Sequence, residues 1–414
     1  MTIRNSFPDV RPALNLDFAN TKRLDPRITF TRSSTGTYVD EFGVIKTAAS
    51  NEARFDHDTS GNSLGLLIEE SRTNLAENSE DFSLWTAQNS TVLTAQGTAP
   101  DGTNTAFKIQ ENTSTISHSI REPSNSTWSG ASTLSCYVKP AGRNFAYMGF
   151  TGVSQTSITF DLVNKVSSYK GTNVTSGSVE DAGNGWLRIV AVFSSSITSG
   201  RATVGPAESD SLGGLNYTGD GSSGILAWGA QLEAGTFPTS YIPTSGSTAT
   251  RSADLASMTG TNFSSWYNQN EGTMLSVSNN IPFGGGLWYF GPSTFAPRWW
   301  SRYELTNGIR TQAYDGSGGS GVVDITIPGV TGNATVPTLK HCVTIDNVAQ
   351  EHAGSANGST VVTGSWDPIN GVSALQLGKR VDLGAINGYL NGTIARLTYY
   401  DRRLTDAQLQ ALTL

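Results

Sequence analysis

The chain is poor in charge, cysteine and histidine, and it has no long apolar run. Each shortage removes a class of protein. Charged residues are 15% of 414, with a net charge of −7. They form no run of one sign, so long-range attraction to nucleic acid or an anionic membrane is not expected. No stretch approaches the ~20 apolar residues of a membrane helix, which argues against insertion. The opening Met1–Val10 lacks the apolar core of a secretory signal, so synthesis and assembly in a cytosol is the expectation. The two cysteines, Cys136 and Cys342, sit in strand-like patterns far apart in the chain. They are expected as buried free thiols, which leaves stability to packing rather than disulfides. The four histidines show no zinc spacing, and the D-x-[DN]-x-[DN]-G calcium loop is missing.

What is present is glycine, at 45 of 414 residues, with abundant Ser, Thr and Asn. Such a mix suits short strands joined by tight turns. The reading is all-β. Residues 1–75 carry strand-like pieces at Arg27–Arg32, Thr37–Asp40, Gly43–Thr47 and Leu64–Glu70, separated by the turns D-E-F-G and D-T-S-G-N. They hold too few apolar residues for a core of their own. They therefore need a partner surface, either the next domain or further copies of the chain. Residues 76–250 read as a first β-sandwich. In it, L-S-C-Y-V-K-P alternates with period two and puts Leu134, Cys136 and Val138 on one face. Residues 243–262 read as a polar connector, and 263–414 as a second sandwich. The chain closes on a short helix. Thr405 and Gln408 form its capping box, Leu404 and Leu409 its hydrophobic staple.

Several of these stretches resemble a known family. Leu16–Ala19, Leu24–Asp40, Ala53–Asp58 and Leu64–Leu75 are similar to the opening module of many phage-encoded structural proteins. The stretch Ala227–Arg251, A-W-G-A-Q-L-E-A-G onward, resembles the end of the jelly roll that follows that module. The closing segment from Ala374 resembles a laminin-G/concanavalin-like jelly roll. The chain thus resembles a bacteriophage virion fibre or spike protein. The resemblance implies an N-terminal β-rich docking segment followed by two tandem jelly-roll sandwiches. It implies a homotrimer on the virion, docked to other virion proteins through residues 1–75. The partner would be host surface polysaccharide or lipopolysaccharide, bound without catalysis. A capsid decoration, head-spike or tail adaptor protein binding only virion proteins is the first alternative. A polysaccharide depolymerase is the second, and a bacterial surface adhesin the third.

Sugars are met by exposed aromatic rings with fixed polar partners in shallow sites. The candidate glycan-binding cluster is Trp288, Tyr289, Trp299, Trp300, Arg302 and Tyr303. Adjacent tryptophans in a strand point to opposite faces, so one of Trp299 and Trp300 is expected to face outward. The competing reading makes these rings core filling or subunit contacts. Trp85, Trp128, Trp186 and Trp228 read as core of the first sandwich. A glycosidase needs two carboxylates about 5–9.5 Å apart. No Glu-x-Asp or Glu-x-Glu pair falls in a strong strand, so no catalytic residues are assigned and a passive exterior without a reactive cleft is expected. Asp56, His57 and Asp58, like Asp346, Glu351 and His352, read as solvated turn residues rather than a metal site. Laminin-G-like domains often hold calcium, but no residue here maps onto such a site. Gly316–Gly321 lacks the lysine of a phosphate loop, and Asp315 reads as the start of a flexible loop. The Asn-x-Ser/Thr triplets at Asn89, Asn125, Asn262 and Asn391 read as by-products of composition.

Overall fold

The computed structural model describes residues 10–194, 196–282, 284–291, 297–304, 308–314, 320–326, 336–365, 368–382 and 385–414. Asp315 and the segment around it lie outside these residues, as does the side chain of Trp128. The protein is all-β, as expected, and is built of two jelly-roll-type sandwiches, which are not in tandem as expected but nested in sequence.

The first sandwich is built from one contiguous run of chain. One sheet has the order Val174–Asp181, Leu187–Phe193, Ser132–Ala141, Gly224–Ala234, Phe107–Glu111, Ser90–Leu93. The facing sheet runs Val166–Lys170, Ile158–Asp161, Phe145–Thr151, Ile197–Ala207, Ser119–Arg121, Thr86–Gln88. Leu134, Cys136 and Val138 point into the core between them, with Met148, Phe160 and Ile189. Tyr137 points the other way, as the period of two requires, and joins a separate small cluster with Trp228 and Tyr241. Trp85 and Trp186 are buried as expected.

The second sandwich takes strands from both ends of the chain. Its first sheet has the order Val362–Ser365, Glu351–Ala356, Val336–Asp346, Glu271–Ile281, Gly392–Tyr400, Ser63–Ile68, Phe55–His57. Leu14–Asp17 pairs with the other end of Gly392–Tyr400, so two N-terminal strands share one edge of it. The second sheet runs Thr29–Thr31, Leu255–Thr259, Ala374–Leu377, Gly286–Phe290, Arg298–Glu304, Gly308–Tyr314, Ser320–Thr326. The first 75 residues are thus β-rich but not free-standing. Within the chain their partner surface is chiefly the second sandwich, formed by the far end of the sequence. Leu14, Leu16, Phe18, Phe30, Leu66 and Ile68 lie in one core with Trp288 and Leu397. Each such side chain brings roughly 1.5–3 kcal/mol of burial, which the segment cannot obtain from itself.

The first sandwich is an insertion in the second. The chain leaves through Arg72–Asn74 and returns through Ala249–Arg251, and these strands pair antiparallel. The stretch 243–262 is therefore not a plain connector. Past Pro243 and Gly246 it forms this neck strand and then Leu255–Thr259, whose Ala256 and Met258 enter the core. Small and polar residues between them hide the alternation.

The closing helix is Asp406–Thr413, and both halves of its capping box form. Leu404 and Leu409 are buried on the outer face of the first sheet, beside Leu275, Cys342 and Tyr400. Both cysteines are free and buried. Burial pushes the Cys136 thiol up to about 12 and the Cys342 thiol higher still.

Candidate functional site

The predicted aromatic cluster is not a surface. Trp288, Trp299 and Tyr303 are fully buried in the core of the second sandwich. Phe290 stacks on Trp299 at 5.1 Å, and Trp288 meets it edge-on at 4.8 Å. The alternation is as expected: Trp299 faces inward and Trp300 the opposite way. That opposite face is covered too. Trp300 is 2% exposed, against its cross-strand neighbour Tyr289 at 0%. The Arg302 guanidinium lies 5.1 Å over the Trp300 ring and pairs with Glu304. Six side chains chosen as a sugar platform are mostly core, because strand periodicity sets which side a ring takes and not whether that side meets water.

A large cavity lies instead at the neck, where the two sandwiches and the N-terminal strands meet. It holds about 620 Å³, within the ~300–1,000 Å³ usual for small-ligand sites. The hairpin Gly36–Val39 and Ile45–Ala48 supplies Tyr38 and Val39. Its turn is fixed by Asp40, which accepts the Phe42 and Val44 amides at 2.9 Å. The strand Phe55–His57 supplies Asp56 and His57. Val39 holds both: its N–H donates to Asp56 at 2.7 Å, and its carbonyl accepts from His57 Nδ1 at 3.0 Å. A carbonyl cannot donate, so Nδ1 carries the proton. The other ring nitrogen, Nε2, is buried and without a hydrogen-bond partner. The first sandwich adds Tyr137, Glu180, Asp181 and Arg188; the second adds Asn280, Pro282, Asn391 and Thr393; the loop before the neck adds Phe237 and Tyr241.

Behind this cleft is a buried ionic knot. Arg32 donates to Asp254 at 3.0 Å, and Arg54 bridges Asp254 at 2.5 Å and Glu69 at 2.8 Å. Arg251 lies 3.5 Å from Glu69. Ser240 donates to Glu69 through both N–H and Oγ at 2.7 Å. Asn74 ties the neck further, donating to the Ala230 and Ile242 carbonyls and accepting from the Ala76 and Leu232 amides. Nearly all of these residues lie in the stretches that carry the family resemblance. Those stretches encode the joint between the sandwiches.

The charges of the cleft follow from these contacts. Burial alone would raise Glu69, but the Arg251 and Arg54 charges and the Ser240 hydrogen bonds hold it down at about 2. At Asp56 desolvation outweighs the Val39 hydrogen bond and the Arg54 charge and pushes the carboxyl up to about 6. Asp58 is lowered by its hydrogen bond from Asn62, and Asp181 by Lys165 at 2.6 Å. Burial would depress Arg188, yet neighbouring Tyr137 and Glu180 raise it.

Asp56, His57 and Asp58 thus divide. Asp58 is the turn residue expected, accepting the Ser60 and Asn62 amides. Asp56 and His57 instead belong to a strand and face the cleft. The available signal was the alternation R-F-D-H, which places charges at Arg54 and Asp56 on one strand face. Asp346 caps its own turn through the Val348 and Ala349 amides. Among the described residues no group of three or more His, Cys, Asp or Glu side chains is placed to hold a metal. The expectation of no cleft does not hold: five carboxylates line this one.

These features define a class: an all-β protein of two jelly-roll sandwiches, one inserted in the other, with a polar cleft at the neck. No protein-family model matches the chain, and no curated protein matches it in sequence. Among solved structures, the Ruminococcus gnavus IT-sialidase CBM40 bound to α2,3-sialyllactose is 19% identical, over 35% of this chain and 83% of its own, with a TM-score of 0.30. The NanB sialidase of Streptococcus pneumoniae is 14% identical over 38% of this chain and 26% of its own, at 0.33. Domains LG4-5 of the mouse laminin alpha1 chain are 9% identical over 70% and 87%, at 0.24. Likenesses this slight carry no function across, and the fold class stands on the sheets themselves.

Proposed function

We propose that this chain is a non-catalytic, glycan-binding subunit of a phage fibre or spike, carried on the virion and directed at host surface polysaccharide or lipopolysaccharide. The observation that carries the binding role is the neck cleft, with aromatic walls and converging hydrogen-bonding groups between two jelly-roll sandwiches. The phage assignment draws on the sequence stretches quoted above. The homotrimer comes from the same resemblance. Each N-terminal strand pairs with another strand of the same chain, so the trimer is not needed to give these strands a first partner.

Fluorescently labelled protein incubated with host cells before and after enzymatic stripping of surface polysaccharide tests the binding role. Loss of staining on stripped cells is expected; equal staining on both overturns it. Antibody labelling of virions and native mass measurement test position and subunit number.

A depolymerase is the second reading, favoured by one observation: Asp56, a carboxyl held near pH 6, shares its cleft with Glu180. A general acid near neutral pH needs a carboxyl raised in this way. Release of reducing ends from host polysaccharide by the pure protein would establish it over the passive role.

A further inference from the structure

We propose that the neck cleft is the glycan site itself, and that it selects uncharged, hydroxyl-rich sugar units over sialic and uronic acids. The inference rests on the glycan-binding reading above and narrows it to a place and a ligand class. Two rings on the cleft wall, Tyr38 and Phe237, keep part of their surface exposed. They offer the flat apolar faces that the buried tryptophans cannot. Phe237 is braced from behind by Arg72, whose guanidinium lies 4.7 Å from its ring centre.

The polar lining is rich in acceptors. Glu69 is neutralised by Arg54 and Arg251, Asp181 by Lys165, and Asp58 is occupied by its own turn. Asp56 and Glu180 remain, facing Arg188 as the lining cation. A ligand carboxylate would meet two carboxylates against one guanidinium, whereas sugar hydroxyls can donate to these oxygens. A separate group points to a hydroxyl-bearing ligand: His57, only 7% exposed, lines the cleft with an unpartnered Nε2, and a hydroxyl can either donate to it or accept from it. Burying such an atom unsatisfied is costly, and a sugar O–H would satisfy it.

The test uses the full chain against two probe sets: neutral oligomers of glucose, galactose and N-acetylglucosamine, and acidic sialyllactose and oligogalacturonate. Binding is measured by calorimetry for the wild type, Tyr38→Ala and Glu180→Lys, with a melting curve for each. Preference for a neutral probe is expected. Tyr38→Ala should weaken it at least tenfold, and Glu180→Lys should shift the neutral-to-acidic ratio at least tenfold toward the acidic set. If Tyr38→Ala does not fold, Glu180→Lys carries the test, because Glu180 is exposed at the rim. Wild-type preference for acidic probes, or neutral binding unmoved in folded variants, overturns this assignment and leaves the glycan-binding role standing. Failure of both probe sets to bind overturns both.

Discussion

The two sandwiches share an architecture and differ in how the chain supplies it. The first closes on strands between Thr86 and Ala234, in one continuous stretch. The second draws edge strands and core residues from positions 14–68 and the rest from 255–400, across the whole of the first. Long-range closure of this kind is entropically costly and is offset only when both halves are present. The difference separates a module that can stand alone from one that cannot. The largest expected effect follows. A fragment of residues 76–248 should fold and unfold cooperatively, by circular dichroism and denaturant titration. A fragment of residues 252–414 should stay unfolded, lacking Leu14, Leu16, Phe18, Phe30, Leu66 and Ile68 from its core. Cooperative unfolding of the second fragment would show that the second sandwich does not need the N-terminal strands.

Within the second sandwich, the aromatic row tests whether burial or binding explains it. Trp299→Ala removes a fully buried ring stacked on Phe290 and should cost about 3–5 kcal/mol. Glycan binding by the molecules that remain folded should be unchanged. A stable variant with lost binding would return the site to that sheet.

How much of this was legible in the sequence depends on the range of the signal. Local patterns transferred well. The alternation around Cys136, the Asp40 and Asp58 turns and the Thr405 capping box involve residues a few positions apart, and the structure realises each one. Partnership at long range did not transfer. Nothing local to Leu14–Asp17 tells that it pairs with Arg396–Tyr399, and nothing local to Trp300 tells that its outward face is covered. The cleft failed for the same reason. Its walls come from three regions of chain, and Asp56 reads as a turn residue until Val39 and Glu180 are beside it.

Asp254 receives Arg32 and Arg54 and accepts the Glu69 amide at 2.9 Å, joining returning chain to departing chain. Asp254→Asn keeps the shape and removes the charge, leaving buried guanidinium groups under-compensated. A loss on the order of 3 kcal/mol is expected in denaturant titration. It should fall on the unfolding of the second sandwich. An unchanged midpoint would show that the knot contributes little net stability.

The smallest effect is a matter of pH, and its sign differs by group. All three residues concerned belong to the second sandwich or its neck. His341, buried and neutral, is lowered from 6.5 to about 3 by desolvation, so the unfolded chain binds its proton first and stability falls as pH drops below 6.5. Asp56 is raised from 3.8 to about 6, so the folded chain holds that proton, and stability falls as pH rises toward 6. Between about pH 4 and 6 these two oppose each other, and their summed slope is near zero. Below 4 Asp56 is protonated in both states and drops out. Glu69, lowered from 4.5 to about 2, then adds to His341. Two protons favour the unfolded chain there, and stability should fall by about 2.7 kcal/mol per pH unit. Asp56→Asn removes the opposing group while keeping an acceptor for the Val39 N–H. In that variant the acid loss should begin near pH 6 instead of pH 4. Coincident pH–stability curves for variant and wild type would show that the cleft leaves Asp56 unperturbed.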